Sequence, residues 1–185
     1  MFKNALTLKK LSVKDLCVAA MLVAITLILS YVSGFLRIGD FAKFNFSFIS
    51  VYVAGVIFGP YISGTVAALA DVISFVANPT GAFVPIFTVL EFLNGFLFGL
   101  FLYRGTGEGF TKLSFVVRTL VCVALQLAVN LFIRTYFLSE LYYGGNFLPL
   151  FITRIPTTGI MAAIKVVVMI ALEPFMKMIV KAVTK

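Results

Sequence analysis

Histidine is absent from the chain, and cysteine occurs only twice, at Cys17 and Cys122, each inside an apolar run. Zinc sites and haem anchors draw on those residue types, and a disulfide framework needs several spaced cysteines, so none has its raw material. Ser-His and Cys-His nucleophile pairs are excluded on the same ground. The composition therefore points to no metal and no cofactor. Charge is scarce as well. Only 12% of residues are charged and 62% are hydrophobic, whereas soluble domains carry about 25% charged residues. With a mean hydropathy of +1.11, the solvent for most of the chain must be lipid.

Acidic residues are rarer than basic ones, 7 Asp and Glu against 15 Lys and Arg, for a net charge of +8. In a soluble protein that balance would suggest nucleic acid. Here the bases sit mainly at the ends of apolar runs, so no basic face remains to form a footprint and nucleic acid is not an expected partner. A nucleotide loop is missing too. Gly59 and Gly64 have the spacing of a phosphate-binding loop, but the lysine that must reach the phosphates is not there. The chain reads as no enzyme; if ATP drives its function, another subunit must supply it.

What the sequence does hold is one transmembrane domain over residues 1–185, an all-α integral membrane protein of six helices in one compact bundle. The spans are expected at about 16–36, 46–59, 62–77, 86–104, 113–138 and 156–179. Ser12 and Asp15 form a capping box before the first. That first run reads as a retained span and not as a cleaved signal. Gly59-Pro60 divides the second span from the third, because proline removes a donor and clashes with the preceding turn. Asn78-Pro79-Thr80-Gly81 has turn chemistry. Ser139 to Thr153 reads as a loop, and Pro156 suits the first turn of the last helix. Lys3, Lys9, Lys10, Lys14, Arg104, Lys112, Arg118, Lys177, Lys181 and Lys185 then share one face of the membrane. Only Arg37, Lys43, Arg134 and Arg154 fall on the other, which puts both termini in the cytoplasm.

Several polar residues stand where hydrocarbon should be. Asp71, Glu91 and Lys165 lie within spans, where an ionisable group costs several kcal/mol unless it has a partner or a purpose. They fit either a buried ion pair or a ligand pocket at that depth. Asn94, one turn after Glu91, favours the pocket. Arg118, Cys122, Gln126, Asn130 and Arg134 recur every four residues in the fifth span, a stripe on one helix face. Gln126 and Asn130 are too far from either interface to snorkel, so they bond another helix or a bound solute. Arg154, placed at the outer start of the last helix, would join the dipole end there in binding a carboxylate. With Arg37, Lys43 and Arg134 it suits an anionic solute from outside, although each could be an ordinary interfacial charge. Phe44, Phe46 and Phe48, alternating with Asn45 and Ser47, would stack on a flat ring or anchor the membrane edge. Ala20-x-x-x-Ala24 and Gly95-x-x-x-Gly99 allow close helix approach.

The chain resembles the substrate-binding S components of energy-coupling-factor (ECF) vitamin transporters. The resemblance covers nearly its whole length. It rests on six spans in a short chain, on Ala20-Met21-Leu22-Val23-Ala24, and on a longer stretch. That stretch comprises Phe46-Ser47-Phe48-Ile49, Gly55-Val56-Ile57-Phe58-Gly59-Pro60, Asp71-Val72-Ile73-Ser74 and Asn78-Pro79-Thr80-Gly81-Ala82-Phe83-Val84-Pro85. Arg154-Ile155-Pro156 looks most like the folate-specific branch. The resemblance implies a protein of the bacterial plasma membrane that binds its vitamin outside and topples to release it inside, on a coupling membrane protein and two ATPase subunits. It implies docking of the Ala20 and Ala24 face on that coupling protein, and a lid over the pocket from Leu36 to Asn45. For folate, the pterin amino group suits Glu91 or Asp71, and the glutamate carboxylates suit Arg37, Lys43, Arg134 and Arg154. The wider expected pocket takes in Asn45, Asn94, Gln126, Asn130 and Lys165. Another vitamin, such as riboflavin, pantothenate or thiamine, a stand-alone ion-coupled carrier, and a ligand-free assembly protein are the competing readings.

Overall fold

The computed structural model describes residues 12–35, 37–38, 42–43, 45–77, 83–104, 112–142 and 144–183. The Asn78–Gly81 turn and much of the expected lid lie outside them. Helix α1 covers Val13–Phe35, a two-residue antiparallel pair joins β1 (Arg37–Ile38) to β2 (Ala42–Lys43), and α2 (Phe48–Phe58), α3 (Pro60–Ala77) and α4 (Pro85–Leu102) follow. The fifth segment is α5 (Lys112–Ala128), a π turn (Val129–Arg134) and α6 (Thr135–Tyr142), and α7 runs through Phe147–Val183. Ser12 opens α1 with its backbone N–H donating to Asp15 Oδ2 at 3.1 Å, one half of the expected capping box.

Among the described residues five stretches are long and apolar enough to cross a membrane, and a sixth apolar helix, α2, has only 11 residues. At 1.5 Å per residue α2 spans roughly 16 Å, about half the hydrocarbon thickness. It is also the most enclosed element, with every residue except Ile49 and Val53 buried. A helix apolar all round belongs in the middle of the bundle. Chain-terminating chemistry stops it: Gly59 takes φ 88° and returns its N–H to Gly55 O at 3.1 Å, and Pro60 starts α3 in the reverse direction. The expected break at Gly59-Pro60 is where the structure makes it.

Two departures concern the last span. The region Ser139–Thr153 is not a loop: α6 continues to Tyr142, and Gly144 and Gly145, both at positive φ, turn the chain into α7 at Phe147. Pro156 does not open that helix; it lies inside it, as does Pro174. Proline is tolerated inside membrane helices because neighbouring groups satisfy the backbone it leaves bare. Arg154 is therefore two turns into α7, and the helix-terminus argument for it does not hold.

Small residues let α4 press into the α2–α3 corner. A Cβ on Gly99 would run into the backbone of Gly59 and Pro60, and one on Gly95 into the Ser63 carbonyl. Ser63 Oγ donates to Gly95 O at 2.6 Å across the same contact. Gly99→Ala is expected to destabilise the fold by about 2–3 kcal/mol, since backbone cannot yield as a side chain can. Gly159→Ala in α7, where a Cβ meets nothing within 4 Å, should instead stabilise by up to about 1 kcal/mol. Unfolding midpoints in detergent measure both.

Just past the end of α4, Arg104 is buried with a side chain 5% exposed, and its Nη2 meets Glu173 Oε1 at 3.2 Å. Lys177 Nζ reaches the same oxygen at 3.0 Å. The Arg104 N–H donates to Val56 O at 2.9 Å, and its guanidinium lies 4.8 Å from the Phe115 ring centre. This cluster ties α2, α4, α5 and α7 together. Glu173, an acid within an apolar run, was its unread signal.

Candidate functional site

Because α2 stops half-way, the bundle is hollow at the opposite end. A cavity of about 810 Å³ opens between α2, α4, the α5–π–α6 segment and α7. Asn45, Glu91, Asn94, Gln126, Asn130, Arg134, Arg154 and Lys165 all line it. Its volume falls within the roughly 300–1,000 Å³ of small-molecule sites.

The polar side chains form a ladder between α4 and the fifth segment. Nearest the mouth, Arg134 Nη2 pairs with Glu91 Oε1 at 2.7 Å and Nη1 donates to Asn130 Oδ1 at 3.2 Å. The Phe87 ring lies 5.7 Å from the same guanidinium. One rung deeper, Asn130 Nδ2 donates to Asn94 Oδ1 at 3.1 Å and to Gln126 O at 2.8 Å. At the floor, Gln126 Nε2 donates to Asn94 O at 2.9 Å, and Lys165 Nζ, from α7, donates to Gln126 Oε1 at 3.2 Å. Lys165 also lies 5.7 Å from the Phe48 ring centre. Gln126 and Asn130 thus bond another helix, as mid-span amides must. Glu91 has its ion pair with Arg134 and not with Lys165.

The stripe that carries these groups needs the π turn. Steps of four residues overshoot a full α-helical turn by roughly 40°, so Arg118 and Arg134 would end roughly 160° apart on a regular helix. The wider winding of Val129–Arg134 takes back part of that rotation, and π turns of this kind recur at functional sites. Nothing in the four-residue spacing itself announced it.

Three expected residues stand apart. Asp71 does not line the cavity: its Oδ2 accepts from Thr88 Oγ1 at 2.7 Å on the α3–α4 contact. The Thr88 hydroxyl thus partners Asp71 at the α3–α4 contact, beside the cavity lining and not in it. Arg37 and Lys43 pair in register through their backbones; their side chains lie outside the described part. Several lining groups carried no sequence signal. Thr153, Thr157 and Thr158 add hydroxyls, while Val51, Phe98 and Met161 make apolar wall. Such residues are common in any span, so only their convergence marks them.

Among the described lining side chains, Arg134, Arg154 and Lys165 carry three positive charges and Glu91 one negative, a surplus of 3 − 1 = +2. In a partly desolvated site that surplus favours an anion strongly. Aromatic wall at Phe48 and Phe98 adds flat apolar surface. The site can hold an elongated, ring-bearing anion. It presents no nucleophile–base pair.

The profile of the family described as "ECF transporter, substrate-specific component" matches residues 14–181. A folate transporter FolT of Clostridium novyi is 33% identical over 147 residues, which cover 79% of this chain and 77% of the relative. A second, of Streptococcus mutans, is 29% identical over 150 residues, with 80% and 76% covered. The crystal structure of FolT bound with folic acid superposes with a TM-score of 0.69 at 28% identity, covering 87% of this chain and 94% of that one.

Proposed function

Because this chain belongs to the family of substrate-specific components of ECF transporters, we propose that it captures a folate-type vitamin from outside the cell for ATP-driven uptake. The observation that carries the substrate is the charge surplus of its cavity. Folate is a dianion through the carboxylates of its glutamate tail, and two negative charges balance two positive ones. Riboflavin brings no charge and thiamine the wrong sign, so either would leave buried cations uncompensated. The relatives named folate transporters support the same choice.

Glu91 is the acceptor for the amino group and ring N–H of the pterin. Arg134, Arg154 and Lys165 share the negative charge of the ligand, and Asn94, whose amide nitrogen is not engaged in the ladder, donates beside them. Arg37, Lys43 and Asn45 belong to the segment over the mouth. The chain is a transport subunit without enzymatic activity, in the bacterial plasma membrane with both termini inside. Ala20 and Ala24, both exposed on α1, form the docking stripe for a coupling membrane protein that carries two ATPase subunits.

Thermal unfolding of the detergent-purified protein against a vitamin panel tests this. At a thousandfold excess over Kd, folic acid should add about 4 kcal/mol to the native state, and riboflavin and thiamine nothing. Stabilisation by one of those two and not by folic acid would overturn the substrate. Gradient-driven uptake by the protein alone in liposomes would overturn the subunit role.

A further inference from the structure

Asn130 has no hydrogen-bond donor to spare for a ligand. Both of its amide hydrogens are committed, one to Asn94 Oδ1 and one to Gln126 O. Its oxygen already carries Arg134 Nη1. The orientation of the amide follows from its surroundings. Turned over, its oxygen would face two other oxygens and its NH₂ group would face a guanidinium, so every contact would become repulsive. One side chain therefore holds three things at once: the α4 face, the carbonyl at the entry to the π turn, and the cation at its exit.

Arg134 depends on that arrangement. Its flexible stem is immobilised by two contacts, Asn130 Oδ1 on Nη1 and Glu91 Oε1 on Nη2. Two of its five N–H groups are so used, and the others remain for the cavity that it lines. Without Asn130 the guanidinium keeps only the Glu91 pair, 28% and 30% exposed on its two sides, and a single partly exposed pair holds geometry poorly.

We infer that Asn130, fixed by the π turn between α4 and the α5 carbonyl at Gln126, is a positioning residue that presets the Arg134 guanidinium for an anionic ligand. It acts through Arg134 and touches no ligand atom. This rests on the reading of Arg134 as a ligand cation, and the test separates the two.

The test is a double-mutant cycle of Asn130→Ala and Arg134→Gln, read as the Kd for folic acid by titration of the detergent-purified protein. Asn130→Ala is expected to weaken binding roughly tenfold in the native background. In the Arg134→Gln background it should change Kd by less than about twofold, because the group it positions is gone. An equal loss in both backgrounds would overturn the inference and leave the anion site standing. Full affinity in Arg134→Gln alone would overturn the anion site, and the inference with it. Asn130→Asp, the same size, serves where Asn130→Ala does not fold. It keeps an acceptor for Arg134 but neutralises it, so it should weaken folic acid binding at least as much, and unchanged affinity would overturn the inference.

Discussion

Glu173→Leu is expected to destabilise the folded protein by about 3 kcal/mol. The substitution removes the carboxylate that Arg104 Nη2 and Lys177 Nζ share. Arg104 is enclosed by α2, α4, α5 and α7 and loses its only acidic partner among the described residues. Breaking a buried ion pair by removing one partner costs about 3–5 kcal/mol. The lower end applies because Lys177 is 46% exposed and brings water to the rim of the cluster. The converse also follows. Arg104→Met combined with Glu173→Leu replaces a buried pair by apolar groups of similar bulk, so the double variant should recover most of the loss. The Arg104 N–H bond to Val56 O is backbone and survives both changes. Denaturation midpoints of the two variants and the native protein in detergent decide this, and a double variant as weak as the single one would refute it.

Lys165→Met is expected to separate stability from binding. Lys165 donates to Gln126 Oε1 at the cavity floor, where its charge is only partly compensated. A methionine of similar length removes the cost of holding that charge away from bulk water, and the ligand-free protein should melt at a higher temperature. Folic acid binding should weaken about a hundredfold, the cost of about 2–5 kcal/mol for deleting one partner of a buried charge pair. Titration and thermal unfolding of the same preparation read both quantities. If affinity and melting temperature fell together, Lys165 would be a structural residue and its place in the site would be lost. Opposite signs are the usual mark of a functional group retained at the expense of stability.

The polar ladder was legible because hydrocarbon offers amides and ions nothing. Glu91, Asn94, Gln126, Asn130 and Lys165 each needed a partner, and the structure brings them to one cavity. Asp71 met the same criterion and is not among the lining residues, because residue type alone cannot say which side chains of α3 face the cavity. Thr88, its partner, is too ordinary to be read as a signal. The break at Gly59-Pro60 was legible from backbone sterics that hold in any solvent. The same reasoning misjudged Pro156, which α7 accommodates in its interior, since the rule that proline ends helices weakens in membranes. The π turn was hidden for a third reason. A four-residue repeat looks like a stripe on paper, and only the accumulated rotation reveals that a regular helix could not keep it on one side.

The shortness of α2 also fixes where the membrane voltage acts. Its eleven residues seal about 16 Å, and over the rest of the depth water from the mouth replaces protein. An electrical potential falls across the insulating layer and hardly at all across water. With the mouth outward, the cavity lies close to the outer potential, so a dianion reaches Lys165 having done little electrical work. Against a negative interior the cost is about 2.3 kcal/mol per charge per 100 mV, roughly 4.6 kcal/mol for two charges. That work falls on the inward step, and vitamin capture should be indifferent to membrane voltage.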